Sequence, residues 1–343
     1  MKHMEFLHNY NLRAHNTFGI DARCNMFADY ATADEAKELA LWLKENNRAG
    51  MPLLIIGGGS NLLLTQDFPG IVIHSVIHGL QVSIEGDEVF VRAGSGMEWD
   101  TLVARCVSNG WYGLENLSLI PGDVGASAVQ NIGAYGTEAC DTICRIEAVD
   151  LKSAQTVTID ASDCAYGYRD SRFKHEWHNR FLITHVTYRL SRRFTPLLDY
   201  GNIRSCLAEN GLDHPTAQQL RDVIIDIRRN KLPDPKIQGN AGSFFMNPVV
   251  ERSKFDALQL QYPQIPHYPI DALHEKIPAA WLIEQCGWKG RSQGNAGVHE
   301  RQPLVLVNRG GACGKEIVQL CEAIRTDVRQ RFDIEITPEV NIV

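Results

Sequence analysis

The sequence predicts an α+β fold, and three observations carry the prediction. An amphipathic helix, a short apolar run and a glycine-rich loop fill 33–64; strand signals dominate 71–193; and helices return on either side of a Pro233-Asp234-Pro235 break. At roughly 100–200 residues per domain, 343 residues make two domains or three small ones.

Thr32 with Glu35 reads as a capping box, and Ala36, Leu39, Ala40 and Leu43 then recur at helical spacing, so 33–46 is a helix that Gly50 and Pro52 close. Residues 53–56 are continuously apolar and end in glycine, as a strand buried on both faces would be. Strands follow at 71–76, 88–94, 145–151, 155–160 and 181–190. One helix interrupts them at 98–109, where Trp99, Leu102, Val103 and Cys106 share a face and Gly110 caps the end. Thr216 and Gln219 make a second capping box ahead of Leu220, Val223, Ile224 and Ile227, in a helix that stops before the proline break. Beyond it the sequence predicts a short helix near 279–286, a strand at 303–308, a helix at 315–331 and two terminal strands, 333–336 and 339–343.

Composition narrows the class. Apolar residues are 44% and charged residues 22%, an ordinary globular balance that excludes disorder, collagen and coiled coil. Net charge is −7 and no basic run exceeds the pairs Arg192-Arg193 and Arg228-Arg229, so nucleic acid is not the expected partner. The first nineteen residues hold no apolar core of signal-peptide length. No apolar run nears the ~20 residues that span a bilayer, since the best of them, 53–64, is broken by three glycines; the expectation is a cytoplasmic protein away from membranes. Nine cysteines without a C-x-x-C pair read as reduced thiols, and His175, His178 and His185 lack a completing ligand, so no metal is expected.

Gly57-Gly58-Gly59-Ser60-Asn61 follows an apolar run, and consecutive glycines let backbone N–H groups approach an anion. The loop lacks the lysine of G-x-x-x-x-G-K-[ST] and the helix-opening form of G-x-G-x-x-G. Residues 121–136 are a second stretch of Gly, Ala and Ser with almost no charge. Two such loops suit a long ligand with a diphosphate at its middle, or tight internal packing. Polar groups concentrate at Tyr168-Arg169-Asp170-Ser171, at 239–243 with Asn247, and at Pro338-Glu339-Val340. Taken singly, these read equally as a salt-bridged surface turn, a common Gly-Ser loop and a solvated glutamate.

Six segments resemble, in order, the successive motifs of the UDP-N-acetylenolpyruvoylglucosamine reductase family: NTFGI (16–20), IIGGGSNLLL (55–64), GLENLSLIPGDVGASAVQNIGAYG (113–136), YGYRDSRFKH (166–175), LPDPKIQGNAGSFFMNP (232–248) and TPEV (337–340). The resemblance spans almost the whole chain. It implies an FAD-binding fold of the vanillyl-alcohol-oxidase type, with α+β subdomains at 1–78 and 79–228, and an α+β substrate domain at 229–343 whose last strand returns towards the flavin. It also implies an oxidoreductase that turns UDP-N-acetylenolpyruvoylglucosamine into UDP-N-acetylmuramate with NADPH, through bound FAD, in peptidoglycan precursor synthesis.

Hydride from the reduced flavin N5 to the enolpyruvyl β-carbon would leave an enolate-like charge on the α-carbon and carboxylate. By the resemblance, Arg169 offers that carboxylate a fixed donor fork, Glu339 in its acid form donates a hydrogen bond, and Ser243 protonates the α-carbon. Gly57, Gly58, Gly59, Ser60, Asn61, Gly122, Ser127, Asn131 and Gly133 would bind FAD. Tyr168, Tyr200 in a substrate-covering tyrosine loop, Arg228, Lys231, Asn247, Tyr268 and Gln302 would meet the nucleotide sugar. Met246, Thr337 and Asn341 depart from the residues usual in these motifs, and a monomer is the expected state. An oxidase of the same fold and a non-catalytic nucleotide-sugar-binding module are the competing readings; the set Arg169, Ser243 and Glu339 speaks against both.

Overall fold

The structure is a computed structural model describing residues 5–47 and 50–343. The chain divides into two compact units: one takes the chain up to Tyr10, Cys24–Gly58 and Pro69–Asn230, the other Asn11–Arg23, Gly59–Phe68 and Lys231–Val343.

In the first unit, β1 (Leu7–Asn11), β2 (Arg23–Tyr30), β3 (Leu53–Ile56) and β5 (Phe68–Ser75) form a sheet in the order β1-β2-β5-β3; the short β4 (Leu62–Leu63) belongs to the second unit. Strands β3 and β5 are parallel, with Leu53 opposite Ile71. Helix α1 (Ala33–Asn46) buries Ala36, Leu39, Ala40 and Leu43 in one cluster with Ile71 and Ile73. Its start is as expected: the Glu35 amide donates to Thr32 Oγ1 at 3.0 Å, and Glu35 Oε2 accepts from the Ala31 amide at 2.7 Å. Strand β3 corrects an expectation. Only Ile56 is buried, because β3 closes its sheet and has one neighbour.

A second, antiparallel sheet runs β11-β10-β12-β7-β6. It is built from β6 (Leu80–Glu85), β7 (Glu88–Gly94), β10 (Ile143–Asp150), β11 (Gln155–Asp160) and β12 (Phe181–Ser191); the hairpin β8 (Gly133–Ala134) with β9 (Thr137–Glu138) precedes β10. Helices α2 (Trp99–Ser108) and α3 (Val124–Gln130) supply Trp99, Leu102, Val103, Val124 and Ala128 to its core, beside Val89, Val91, Val186 and Tyr188. Each large apolar side chain buried there contributes about 1.5–3 kcal/mol. Trp99 sends its Nε1–H to Leu117 O at 2.9 Å. Strand β6 and helix α3 were not expected. The outward side chains of β6 are exposed and weakly patterned, and α3 is written in Gly, Ala and Ser, which carry no helical stripe. Helix α4 (Ile203–Glu209) was missed for its shortness; α5 (Ala217–Lys231) follows its predicted capping box, with the Gln219 amide on Thr216 Oγ1 at 3.2 Å.

The second unit pairs β4 in parallel with β19 (Asn341–Ile342). It also holds two small antiparallel sheets. One is β13 (Val249–Glu251), β15 (His274–Lys276) and β14 (Tyr268–Pro269); the other is β16 (Ser292–Gln293), β17 (Ala296–Val298) and β18 (Leu306–Asn308). Helices α6 (Arg252–Gln261), α7 (Ala279–Gln285) and α8 (Gly314–Phe332) complete it, with Ile317, Leu320, Ile324 and Val328 buried along α8. Three strand predictions shrink or vanish, 339–343 reducing to Asn341–Ile342. Residues 303–308 reduce to Leu306–Asn308, and 333–336 is no strand: Asp333 takes the left-handed cap of α8, and the Ile336 carbonyl goes to Arg325 Nε at 3.0 Å instead of a ladder. Among the described residues, no helix is long and apolar enough to cross a membrane.

Candidate active site

In the first unit, Arg169 sits in a turn closed by the Gly167–Asp170 bridge at φ +55°. Its guanidinium is turned inward, 16% exposed. It donates to the Gly133 carbonyl and, at 3.4 Å, to that of Asn131, and it lies 3.7 Å from Glu138 Oε1. A methyl group at Gly133 would come within 2.6 Å of Arg169 Nη1, so glycine there leaves the fork its room. The surface ion pair of this turn belongs to Asp170 and His175 at 2.8 Å.

Asn131, fully buried at φ +48°, accepts from the Cys140 amide at 3.0 Å and donates to Glu138 Oε2 and to the Gly167 carbonyl, both at 2.8 Å. It thereby ties the hairpin β8–β9 to the Arg169 turn. The Ser127 hydroxyl is likewise bonded inside, to Val124 O at 2.7 Å and Tyr188 OH at 2.8 Å. Both residues were predicted to bind FAD; their side chains shape the backbone around them.

Tyr168 and Tyr200 are each close to half exposed. Tyr168 carries the Arg169 guanidinium 5.0 Å over its ring, and Tyr200 stands edge-on to Tyr135 at 6.5 Å. The segment leading to Tyr200 is anchored by a residue the sequence did not single out: Asn116, buried, donates through Nδ2 to the carbonyls of both Tyr135 and Leu197 at 2.9 Å. Arg228 donates to Leu119 O at 3.3 Å; burial works against its charge, while the Tyr135 phenol and the Asp100 carboxylate favour it.

In the second unit, the NTFGI motif is a clamp. Asn16 Oδ1 accepts from the Ile20 amide at 2.8 Å, closing the turn on itself. The Thr17 amide donates to Gly59 O at 3.1 Å, Thr17 Oγ1 to Asn240 O at 2.6 Å, and the Asn240 amide back to Thr17 O at 3.0 Å. Gly59, at φ +63°, lies so close that a methyl group would sit 2.0 Å from His15 O. The clamp thus fixes both the loop leading through Ser60 and Asn61 into β4 and the loop carrying Ser243.

Ser243 and Glu339 come together in this unit. The Glu339 amide donates to Phe244 O at 2.8 Å, the Met246 amide to Thr337 O at 2.9 Å, and Phe245 bridges Pro338. Asn61 Nδ2 holds the Glu339 carbonyl at 3.2 Å, and the Asn341 amide reaches Asn61 O at 3.1 Å. The last strand thus meets the chain at Asn61, at the end of the glycine-rich loop. Met246 and Thr337 meet through their backbones. Asn247 Oδ1 accepts from the Ala279 amide at 2.9 Å, Gln302 Oε1 from the Leu304 amide at 3.3 Å, Tyr268 is half exposed on β14, and Lys231 ends α5.

The residues present fit a dinucleotide. In the first unit, Gly57 and Gly58 lie against Gly122–Ala126 so closely that a methyl group at Gly57 would meet Ala126 Cβ at 3.1 Å, and one at Gly58 would meet Gly122 Cα at 3.4 Å. Two stretches of small residues thus approach closely, with the Asp123 carboxylate facing the glycines, and such a pair of backbone segments suits a diphosphate held by backbone N–H groups.

Comparison with known proteins agrees. A family model described as FAD binding domain matches residues 28–160, and one described as UDP-N-acetylenolpyruvoylglucosamine reductase, C-terminal domain, matches 234–343. The UDP-N-acetylenolpyruvoylglucosamine reductase of Bacteroides fragilis is 51% identical over 337 residues, 97% of this chain and 99% of that one. Its Paraburkholderia xenovorans counterpart is 47% identical over 97% of this chain and 96% of that one. Among solved structures, UDP-N-acetylenolpyruvylglucosamine reductase of Thermus caldophilus superposes with a TM-score of 0.67 at 21% identity, over 99% and 98% of the two chains. A 6-hydroxy-D-nicotine oxidase of Arthrobacter nicotinovorans reaches 0.54 at 12% identity, over 97% and 87%. These last two show the fold.

Proposed function

The chain belongs to the UDP-N-acetylenolpyruvoylglucosamine reductase family, and on that premise we propose that Arg169, Ser243 and Glu339 carry its chemistry. The protein is an FAD-dependent oxidoreductase of the vanillyl-alcohol-oxidase-type fold that reduces UDP-N-acetylenolpyruvoylglucosamine with NADPH in peptidoglycan synthesis. Bound FAD supplies the hydride.

The residues of this chain supply the rest. Arg169 binds the substrate carboxylate, where its always-charged fork stabilises the developing enolate. Glu339 donates a hydrogen bond to the same group. Ser243 gives its proton to the α-carbon, a transfer that a weak acid manages because the enolate is strongly basic and the hydroxyl is held in place. The observation that supports the reading most is the bond from the Glu339 amide to the Phe244 carbonyl, which sets the proton donor and the carboxyl on adjoining backbone. Gly57–Asn61 with Gly122, Ser127, Asn131 and Gly133 form the FAD contacts in this reading, and Tyr168, Tyr200, Arg228, Lys231, Asn247, Tyr268 and Gln302 the nucleotide-sugar contacts. The change from one sheet to another between β5 and β6 supports flavin subdomains at 1–78 and 79–228 ahead of a substrate domain at 229–343. We further place the protein in the cytoplasm as a monomer that binds no nucleic acid; sedimentation of the purified protein tests the monomer.

The test is spectroscopic. The purified yellow protein should bleach with NADPH under anaerobic conditions and regain its flavin band on addition of UDP-N-acetylenolpyruvoylglucosamine. Reoxidation by air alone points to an oxidase, and failure to take up FAD to a binding module.

A further inference from the structure

We propose that His74 is a positioning residue for FAD: in its charged form it neutralises Asp123 behind the Gly57–Gly58 turn, and so keeps that turn receptive to the FAD diphosphate. The inference rests on the assignment of that turn to FAD made above.

Asp123 occupies the cap position of α3 but makes no side-chain capping bond, although aspartate is among the best residues for that task. Its carboxylate is turned instead towards the glycines. Methyl groups at Gly57 and Gly58 would lie 3.3 Å from Oδ2 and Oδ1 respectively. The backbone beneath cannot swing it aside, because the Trp99 amide holds Gly122 O and the Val124 amide holds Met97 O, both at 2.9 Å, around a bridge between Glu98 and Asp123. A fixed carboxylate under an anion-binding turn repels the anion unless something cancels it.

His74, on β5, is that something. Its Nδ1 lies 2.8 Å from Asp29 Oδ1 on β2 and its Nε2 3.9 Å from Asp123 Oδ2; the His74 and Asp123 side chains are 15% and 14% exposed. The charged groups acting on it are these two carboxylates, with the Phe27 ring alongside at 6.3 Å. Burial works to lower the imidazole's pKa, but Asp123 and Asp29 outweigh it and push it up to about 9, so the ring is charged at neutral pH. Above that pH the proton leaves, and Asp123 faces the turn uncompensated.

The experiment measures binding to the apoprotein by fluorescence and calorimetry, with FAD, ADP and riboflavin as probes, from about pH 6 to about 10. FAD and ADP carry the diphosphate; riboflavin does not. We expect FAD and ADP affinity to hold level at neutral pH and to fall once the pH passes about 9, with no matching break for riboflavin. His74→Gln should weaken FAD about tenfold or more at pH 7. Adding Asp123→Asn to it should restore affinity to within about threefold of the parent and remove the break, because the charge that needed cancelling is gone. A His74→Gln protein that binds FAD like the parent, or a double variant no tighter than the single, overturns the proposal. Gly58→Val separates the premise: if FAD and ADP still bind to it undiminished, the turn is not the diphosphate site, and the proposal falls with that assignment.

Discussion

Arg169 and Ser243 illustrate what single residues do here. Arg169 reaches the Gly133 and Asn131 carbonyls with a planar fork, and lysine cannot reproduce that geometry. Arg169→Lys should therefore lower kcat about 10²- to 10³-fold with the protein still yellow; a kcat within threefold of the parent would remove Arg169 from the mechanism. Ser243→Ala should spare bleaching by NADPH, which needs no proton on the substrate, and slow the return of the flavin band with substrate by about 10²- to 10⁴-fold; stopped-flow absorbance separates the two halves. The types of these residues were legible in the sequence, as was the glycine loop. What their neighbours do was not. Thr17, Asn116 and Asn240 act through bonds to backbone groups far along the chain, and no local pattern announces such partners. Asp123 stands at the cap position of α3, and only the fold reveals that its carboxylate points elsewhere.

At the scale of elements, what could be read depended on length and stripe. Helices α1, α2, α5 and α8 were visible because each repeats apolar side chains at helical spacing, and the first three carry a recognisable end. Helices α3 and α4, one turn or two of small or mixed residues, carry too little pattern, and 333–336 alternates like a strand because Ile334 and Ile336 are buried beneath α8's end without a ladder. The join between α2 and α5 also escaped notice. Asp100 receives both Arg221 Nη groups at 2.7 and 2.8 Å and the Leu119 amide at 2.5 Å. Arg221 is almost wholly buried, so Asp100→Asn leaves it uncompensated and should cost about 3 kcal/mol in urea unfolding at pH 7. Burial acts to raise the Asp100 carboxyl, but Arg221 and the Leu119 amide prevail and hold it below the usual carboxylate range. A lowered folded pKa means the stabilisation is complete above the unfolded value of about 4 and fades as pH falls through the folded one. The stability gap between parent and variant should accordingly narrow as pH falls below about 4; a constant gap would show that the charge of Asp100 is not what matters.

Across the whole molecule, the six motifs give the family and the order of parts, yet the compact units do not follow the order of the chain. The second unit recruits Asn11–Arg23 and Gly59–Phe68 from early in the sequence. Phe18 is fully buried and meets Phe244 edge-on at 6.2 Å, a methyl group at Gly239 would sit 2.2 Å from Phe18 O, and one at Gly314 would sit 1.9 Å from Leu64 O. A fragment beginning at Lys231 lacks these partners and should express as a loosely packed chain without a sharp thermal transition; co-expression with residues 1–230 should restore one. Cooperative melting of the fragment by itself would contradict this. The NTFGI clamp also sets a timetable for synthesis. On the ribosome, Phe18 emerges more than two hundred residues before its pocket exists, and at about 5–20 residues per second it waits ten seconds or longer as an exposed aromatic. A nascent chain of this kind has reason to be shielded by a chaperone until its last third is made, and slowing translation late in the message should raise aggregation where slowing it early should not.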